Sequence, residues 1–202
     1  MNYPMVFSLE VNIYEDREKR ENCSVTLAVQ KVILKNEYKT LYEYCCFDDH
    51  IKPFTEIIHH KNGHRYFPFH IDLYGISCLD VDTLEVYNYI PEGYEHDCEY
   101  PYGESFIITD IHCYKESNLI AYGGCYWTGS LEVLAGDFLN PLNFNPHLMN
   151  LRYIFDPDYD FYDIDFKEWK NNRLYVICDN KEEKSISINE LKDMINELTE
   201  KG

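Results

Sequence analysis

The sequence SFIITDIHCYKESNLIAYGGCYWTGSLEVLAGDF, residues 105–138, indicates the fold class. It holds three runs rich in β-branched and aromatic residues, separated by polar breaks such as residues 115–118. Runs of this composition between turn-forming residues are typical of antiparallel strands. The segment is therefore predicted to form a three-stranded meander.

Comparable runs occur along the whole chain, whereas helical periodicity occurs once. We predict strands at residues 6–14, 24–34, 40–47, 55–60, 64–69, 73–79, 84–90, 106–114, 119–126, 131–138, 151–155, 162–169, 174–178 and 184–188. The polar segments 80–83, 170–172 and 180–183 are predicted turns of the same kind.

The helical pattern lies near the C-terminus. Apolar residues recur there at the spacing of one helix face: Leu191, Met194, Ile195 and Leu198. Ser187 followed by Glu190 fits a capping box, and Asn189 is an alternative cap. We predict a helix at about residues 189–200 whose apolar stripe packs on the sheet. A homodimer contact through this stripe is the less favoured use.

Three units of strand, turn, strand, turn and strand begin near residues 55, 105 and 161. Within the first unit, DLYGISCLDVDTLEVYNYI (residues 72–90) resembles a blade fragment of β-propeller repeat proteins, and the resemblance extends over about half of the chain. It implies a binding scaffold. The expected fold is mainly β: antiparallel meanders forming one small propeller-like or sandwich-like domain over residues 1–202, with one C-terminal α-helix.

The chain is strongly acidic, with 36 acidic and 18 basic residues and a formal net charge of -18. Such a surface repels phosphate groups, so we expect neither direct nucleic-acid binding nor docking on anionic membranes. An acidic surface suits a basic protein partner, and solubility alone is the simpler explanation. The N-terminal sequence lacks a signal-peptide pattern, and an apolar window of membrane-spanning length is absent from the sequence, so a cytoplasmic location is expected.

The eight cysteines lack the CxxC spacing of zinc and redox sites, and most lie in strand-like runs. This usage predicts buried reduced thiols in a reducing compartment. We therefore predict no disulfide framework, no metal and no cofactor.

The densest histidine segment is IIHHKNGHRYFPFH, residues 57–70. A two-residue turn at Asn62 and Gly63 would set His60 opposite Arg65, on the sheet face away from His59 and His64. This arrangement predicts a solvated hairpin tip in preference to a metal site.

The acidic run FDPDYDFYDIDFKE, residues 155–168, has aspartates at positions 1, 3 and 5 of an EF-hand-like loop: Asp156, Asp158 and Asp160. Position 6 is Phe161 where the loop needs glycine, and position 12 is Lys167 where it needs a bidentate glutamate. An acidic connector is therefore favoured over a calcium site.

The segment PEGYEHDCEYPYGE, residues 91–104, is the longest one without strand periodicity, and long loops in compact domains commonly bind or cover something. Its tyrosines offer contact surface, and its charged residues can titrate or act as ligands. The predicted binding residues are Tyr94, Glu95, His96, Asp97, Glu99, Tyr102 and, from a separate turn, Trp127. A structural flap is the alternative for the loop, and a core position is the alternative for Trp127.

Paired glycines interrupt the strand predicted at residues 119–126. Glycine inside a strand commonly marks a β-bulge or a close approach of two backbones. Gly123 and Gly124 are therefore predicted to be geometric positions. They are not followed by the helix that a phosphate-binding loop requires.

Nucleotide, nucleophile-elbow and zinc-protease motifs are absent from the sequence. The favoured function is a non-enzymatic binding or interaction protein on a β-meander scaffold, with an acidic inhibitor or immunity-type protein as one form and a protein or small ligand as the partner. The alternative is a hydrolase or metal-dependent enzyme that uses the 91–104 loop, with Glu95, His96 or Asp97, or else His112.

Overall fold

The computed structural model describes residues 7–20, 23–37, 39–46, 52–71, 73–89, 106–126, 129–143, 148–158, 160–179 and 181–201. These residues form fourteen strands in four antiparallel sheets, and every sheet pairs strands that follow one another in the chain. The first sheet contains β1 (Phe7–Arg20), β2 (Cys23–Asn36) and β3 (Lys39–Cys46). The second contains β4 (Ile58–His59), β5 (Arg65–Phe69), β6 (Ile76–Asp80) and β7 (Val86–Tyr89).

The third sheet contains β8 (Phe106–Tyr114), β9 (Leu119–Tyr126), β10 (Leu131–Asp137) and β11 (Met149–Asn150). The fourth contains β12 (Ile164–Lys170), β13 (Arg173–Cys178) and β14 (Glu182–Ser187). Two helices complete the described chain, α1 (Arg152–Phe155) and α2 (Ile188–Lys201). The predicted fold class, mainly β meanders with one C-terminal helix, is confirmed.

Side-chain alternation explains how the sheets stack. On β5, Tyr66 packs into the cluster shared by the second and third sheets, whereas Phe67 packs into the cluster shared by the first and second. On β9, Ile120 faces the second sheet and Ala121 faces the fourth. Because successive side chains of a strand point to opposite faces, a strand in an inner sheet is buried at nearly every position. In the fourth sheet, at the end of the stack, the middle strand β13 instead alternates buried and half-buried residues.

Three apolar clusters therefore join the first sheet to the second, the second to the third, and the third to the fourth together with α2. Among the described residues, the stack does not close into a propeller or a barrel. Face-to-face packing of antiparallel sheets fits the sandwich-like form of the predicted fold.

One predicted strand is wrong. Residues 151–155 form a helical turn, in which Ile154 and Phe155 donate backbone hydrogen bonds to the carbonyl oxygen of Leu151. The strand β11 ends just before it, at Asn150. The short helix turns the Arg152 side chain into the protein interior, where it is 2% exposed and meets several acceptors.

The capping box of α2 is confirmed. The Glu190 backbone N–H donates to Ser187 Oγ at 3.2 Å, and the Ser187 N–H donates to Glu190 Oε2 at 3.1 Å. Leu191 and Ile195 are buried in the cluster between the third and fourth sheets, as predicted, so these two side chains are not available for a dimer contact. In the described part of the chain, no helix has the length and apolar character needed to cross a membrane.

The histidine hairpin has a different register from the predicted one. Ile58 pairs with Tyr66 and His59 pairs with Arg65, and the His60 N–H donates to the His64 carbonyl at 3.0 Å. The loop therefore has three residues, with Gly63 at a φ of +94°. The shift by one residue places His60 and His64 on the same face of the sheet, contrary to the prediction. Six cysteines have described side chains that are free thiols: Cys45, Cys46, Cys78, Cys113, Cys125 and Cys178.

The predicted geometric role of the glycine pair is confirmed. Ile108 pairs with Gly124 and Asp110 with Gly123, so Thr109 is an extra residue that makes a β-bulge in β8. A Cβ atom added to Gly124 would lie 2.0 Å from the Ile107 carbonyl oxygen. Only glycine fits the close approach of these two backbones.

Candidate functional site

The predicted binding residues lie outside the residues that the structure describes. They are Tyr94, Glu95, His96, Asp97, Glu99, Tyr102 and Trp127. Their joint placement on one surface thus stays a prediction. The described residues supply a different candidate site, which includes His112 from the alternative enzyme hypothesis.

This site is a cleft of about 410 Å³ between the irregular segment 52–57, which leads into β4, and the strand β8. Its volume is within the range of small-ligand sites. Apolar lining comes mainly from Pro53, Phe54, Ile57, Ile58, Pro68 and Ile111. Charged or titratable lining comes from Lys52, Glu56, His59, Asp110, His112, Cys113 and Lys115. The cleft can thus contact a ligand that carries both an apolar and a charged group.

Contacts from β12 hold His112 at the cleft. Its ring stacks on Phe166 with centroids 3.7 Å apart and planes 9° apart. The Trp169 indole N–H donates to the His112 carbonyl oxygen at 3.1 Å, and Trp169 stacks on Tyr114. These contacts join β8 to β12 and fix the backbone and the ring of His112 together.

Burial and charge act in opposite directions on His112. Desolvation lowers the pKa of His112 below its usual value of 6.5, while the Asp110 and Glu56 carboxylates oppose this shift. The neutral imidazole therefore predominates at neutral pH. Burial raises the pKa of the neighbouring Cys113 thiol to about 12, so this cysteine stays protonated and is a poor nucleophile.

Asp110 links the cleft to Asp165 on β12 and to Asp163 just before that strand. The Thr109 hydroxyl donates to Asp110 Oδ2 at 2.9 Å, next to the bulge. The pKa of Asp165 is raised by burial and by the negative charges of Asp163 and Asp110. One end of the cleft is thus an acidic region that would gain from a neutralising cation.

A second cluster, His64, Asp80 and Asp82, is the only one in the described ranges with three donor atoms spaced for a metal ion. Its atoms are already engaged: Asp80 Oδ2 meets His64 Nδ1 at 2.6 Å, and Asp82 Oδ2 accepts the Arg65 backbone N–H at 2.9 Å. Asp80 Oδ1 also accepts the Asp82 N–H at 2.8 Å. The hydrogen bond to Asp80 raises the pKa of His64, which favours the imidazolium and opposes metal ligation. We interpret this cluster as support for the turn.

Asp156, the first aspartate of the acidic run, is buried and takes part in packing contacts within the protein. Asp156 is 3% exposed and pairs with Arg152, and its Oδ1 accepts the Asp160 N–H at 2.7 Å. Protein donors therefore engage both Asp156 oxygens, which fits an acidic connector.

Sequence reasoning missed Glu56 and Asp110. The segment 55–60 was predicted as a strand, but only Ile58–His59 pairs. Asp110, His112 and Tyr114 alternate along β8, and this spacing predicts that their side chains share one face of the strand. Nothing local indicates that Glu56, more than fifty positions earlier, approaches them.

We expect a side-chain NMR titration to place the pKa of His112 below about 6.5. Replacement of Asp110 by asparagine should lower this pKa further, because it removes a negative charge that stabilises the imidazolium. A lowered folded-state pKa means that protonation favours the unfolded chain, so His112 contributes stability that is lost as the pH falls below about 6.5.

The matched control for this titration is Asp158→Asn, since Asp158 is exposed and does not line the cleft. It should leave the His112 titration unchanged. A rise of the His112 pKa in Asp110→Asn would contradict the electrostatic assignment.

Comparison with known proteins found no matching family model, no similar curated protein and no similar solved structure.

Proposed function

We propose that the protein is a non-enzymatic binding protein that engages a basic protein partner. In this proposal the cleft receives a lysine or arginine side chain of the partner between Glu56 and Asp110. The supporting observation is the composition of the cleft, in which two carboxylates flank an apolar lining and a neutral imidazole. An acidic inhibitor or immunity-type protein is one form of such a binder.

The charge balance around the cleft favours a cationic group. The lining contributes two exposed lysines, Lys52 and Lys115. Glu56 and Asp110 balance them, Asp165 adds negative charge near Asp110, and Asp163 adds negative charge near Asp165. The net charge of -18 acts in the same direction at longer range and would speed association with a basic partner.

An apolar stem with a charged end fits this lining. Lysine and arginine side chains bury their methylene groups on apolar surface while the charged head stays in contact with water or carboxylates. Phe54, Ile57 and Ile111 supply such a surface beside Glu56 and Asp110. A guanidinium group can also stack on the flat ring of His112.

The proposal is tested with Nα-acetyl-L-arginine amide as the probe, followed by NMR of the His112 ring and the Trp169 indole N–H. We expect saturable shifts of both signals and a weaker affinity in high salt. The double variant Glu56→Gln/Asp110→Asn should weaken binding by about threefold to tenfold, as for partly exposed ion pairs.

Two controls separate charge from apolar contact. Nα-acetyl-L-norleucine amide retains the apolar stem without the charge, and Asp158→Asn removes an acidic group outside the cleft. Equal binding of the arginine and norleucine probes would refute the cation subsite. If Asp158→Asn loses as much affinity as the double variant, the net charge of the protein and not the cleft explains the binding.

His112 supports a second candidate, a hydrolase. A neutral imidazole beside a cleft is in the protonation state that a general base needs. If the protein hydrolyses p-nitrophenyl acetate, His112→Gln should lower kcat/KM by about a hundredfold or more. Equal rates in the variant and the wild type would remove this candidate and leave the binding proposal untouched.

A further inference from the structure

The strand β1 lies at an edge of the first sheet and is unusually long. Its fourteen residues pair with β2 on one side, and in the described part of the chain no strand pairs with the other side. Exposed large apolar residues lie close together on this strand: Val11, Ile13 and Tyr14 are 44%, 62% and 44% exposed. A long edge strand with exposed apolar residues is a site at which another strand can add.

Val11 and Ile13 lie on the core face of the sheet. Their partners across the β1–β2 ladder are Val32 and Gln30, which are 0% and 3% exposed. The core therefore covers β2 at these positions. On β1 it reaches Phe7 and Leu9 but leaves Val11 and Ile13 exposed. A strand added to the outer edge of β1 would extend the same apolar face and cover both residues.

We propose that this edge forms a homodimer in which β1 pairs antiparallel with β1 of a second copy, around a two-fold axis at Asn12. The axis places Val11 of each copy opposite Ile13 of the other, so both exposed apolar residues meet an apolar partner. Asn12 then faces its own counterpart, and amide groups can pair because each has a donor and an acceptor. The contact is isologous, as in most homodimers.

Charge along β1 supports this register. With the axis at Asn12, residues 9–15 pair without placing like charges opposite one another. An axis at residue 13 would set Val11 against Glu15, and one at residue 14 would set Ile13 against Glu15, so an exposed apolar residue would face a carboxylate. An axis at residue 15 would set Glu15 against itself. Like charges directly opposite are destabilising.

An axis at Val11 also avoids like charges, but it does not pair the exposed Val11 with the exposed Ile13. It pairs Ile13 with Leu9, which already packs against the core cluster of its own copy. The Asn12 axis instead pairs the two exposed residues with each other. This difference provides a sharp test of the register.

The dimer is tested by size-exclusion chromatography with light scattering over a range of protein concentrations. The wild type should shift from 24.1 kDa towards twice that mass as the concentration rises. Ile13→Lys should remain at 24.1 kDa and keep the wild-type thermal unfolding, since the side chain is already 62% exposed. Leu139→Lys is the matched control, because Leu139 is 66% exposed outside the first sheet, and it should dimerise like the wild type.

The register is tested by the double variant Val11→Glu/Ile13→Lys. About an axis at Asn12, opposite charges meet twice, so the double variant should recover the dimer that Ile13→Lys loses. A double variant that stays monomeric would overturn the register with its axis at Asn12. It would instead fit an axis at Val11, about which the two new glutamates would face each other. A wild type that stays monomeric at millimolar concentration, or an Ile13→Lys variant that still dimerises, would overturn the dimer.

Discussion

Replacement of Arg152 by methionine is expected to lower the free energy of unfolding by about 3–5 kcal/mol. Arg152 is 2% exposed, and its guanidinium donates to Glu132 Oε1 and Asp156 Oδ2, each at 2.8 Å. It also donates to Ser130 Oγ at 2.9 Å and to the Tyr162 carbonyl oxygen at 2.9 Å. Removal of the cation leaves the buried Asp156 carboxylate and the half-buried Glu132 carboxylate without a countercharge, which is the costly case for a buried ion pair.

The change is measured by urea denaturation with circular dichroism. The control Arg173→Met removes a guanidinium whose described hydrogen bonds go to neutral acceptors at Ser185 and whose charge acts only on the exposed Glu190 carboxylate among the described groups, so its cost should be near 1 kcal/mol. If Arg152→Met does not fold, Asp156→Asn provides the measurement. Equal stability losses at Arg152 and Arg173 would contradict the role of the buried charge network.

Replacement of Gly124 by alanine should cost about 3 kcal/mol or more. The new Cβ would lie 2.0 Å from the Ile107 carbonyl oxygen and 2.8 Å from Phe106 Cε1. The carbonyl belongs to the neighbouring strand, so relief of the clash would move β8 away from β9. Urea denaturation again gives the free energy of unfolding.

The adjacent glycine is the matched control. A Cβ at Gly123 would come within 3.3 Å of Asp110 Oδ2, which is the end of an exposed and rotatable side chain. Gly123→Ala should therefore cost about 1 kcal/mol or less. A Gly124→Ala variant as stable as Gly123→Ala would show that β8 and β9 are not as close as described.

The sequence predicts the strands well because alternation is a local signal. Phe67 and Phe69 on one face of β5 and Tyr66 on the other are sufficient to place a strand. The capping box at Ser187 and Glu190 is also local and was predicted. Gly123 and Gly124 were recognised for the same reason.

Features that depend on distant contacts were missed or misplaced. Residues 151–155 have strand-like composition, but the acceptors around Arg152 come from other elements and favour a helical turn. The hairpin register was wrong by one residue because Asn62 and Gly63 suit both two-residue and three-residue loops. The cleft depends on how segment 52–57 lies against β8, which the local sequence does not encode.

Each sheet is made from one continuous stretch of chain, and this has a consequence for folding. Every ladder joins consecutive strands, so the loops closed during sheet formation are short for an all-β protein. Short loops predict faster folding than in sandwiches whose strands cross between sheets. During synthesis, each new sheet can pack on the sheet that was made before it. The apolar face of the newest sheet is then exposed only until the next meander folds over it.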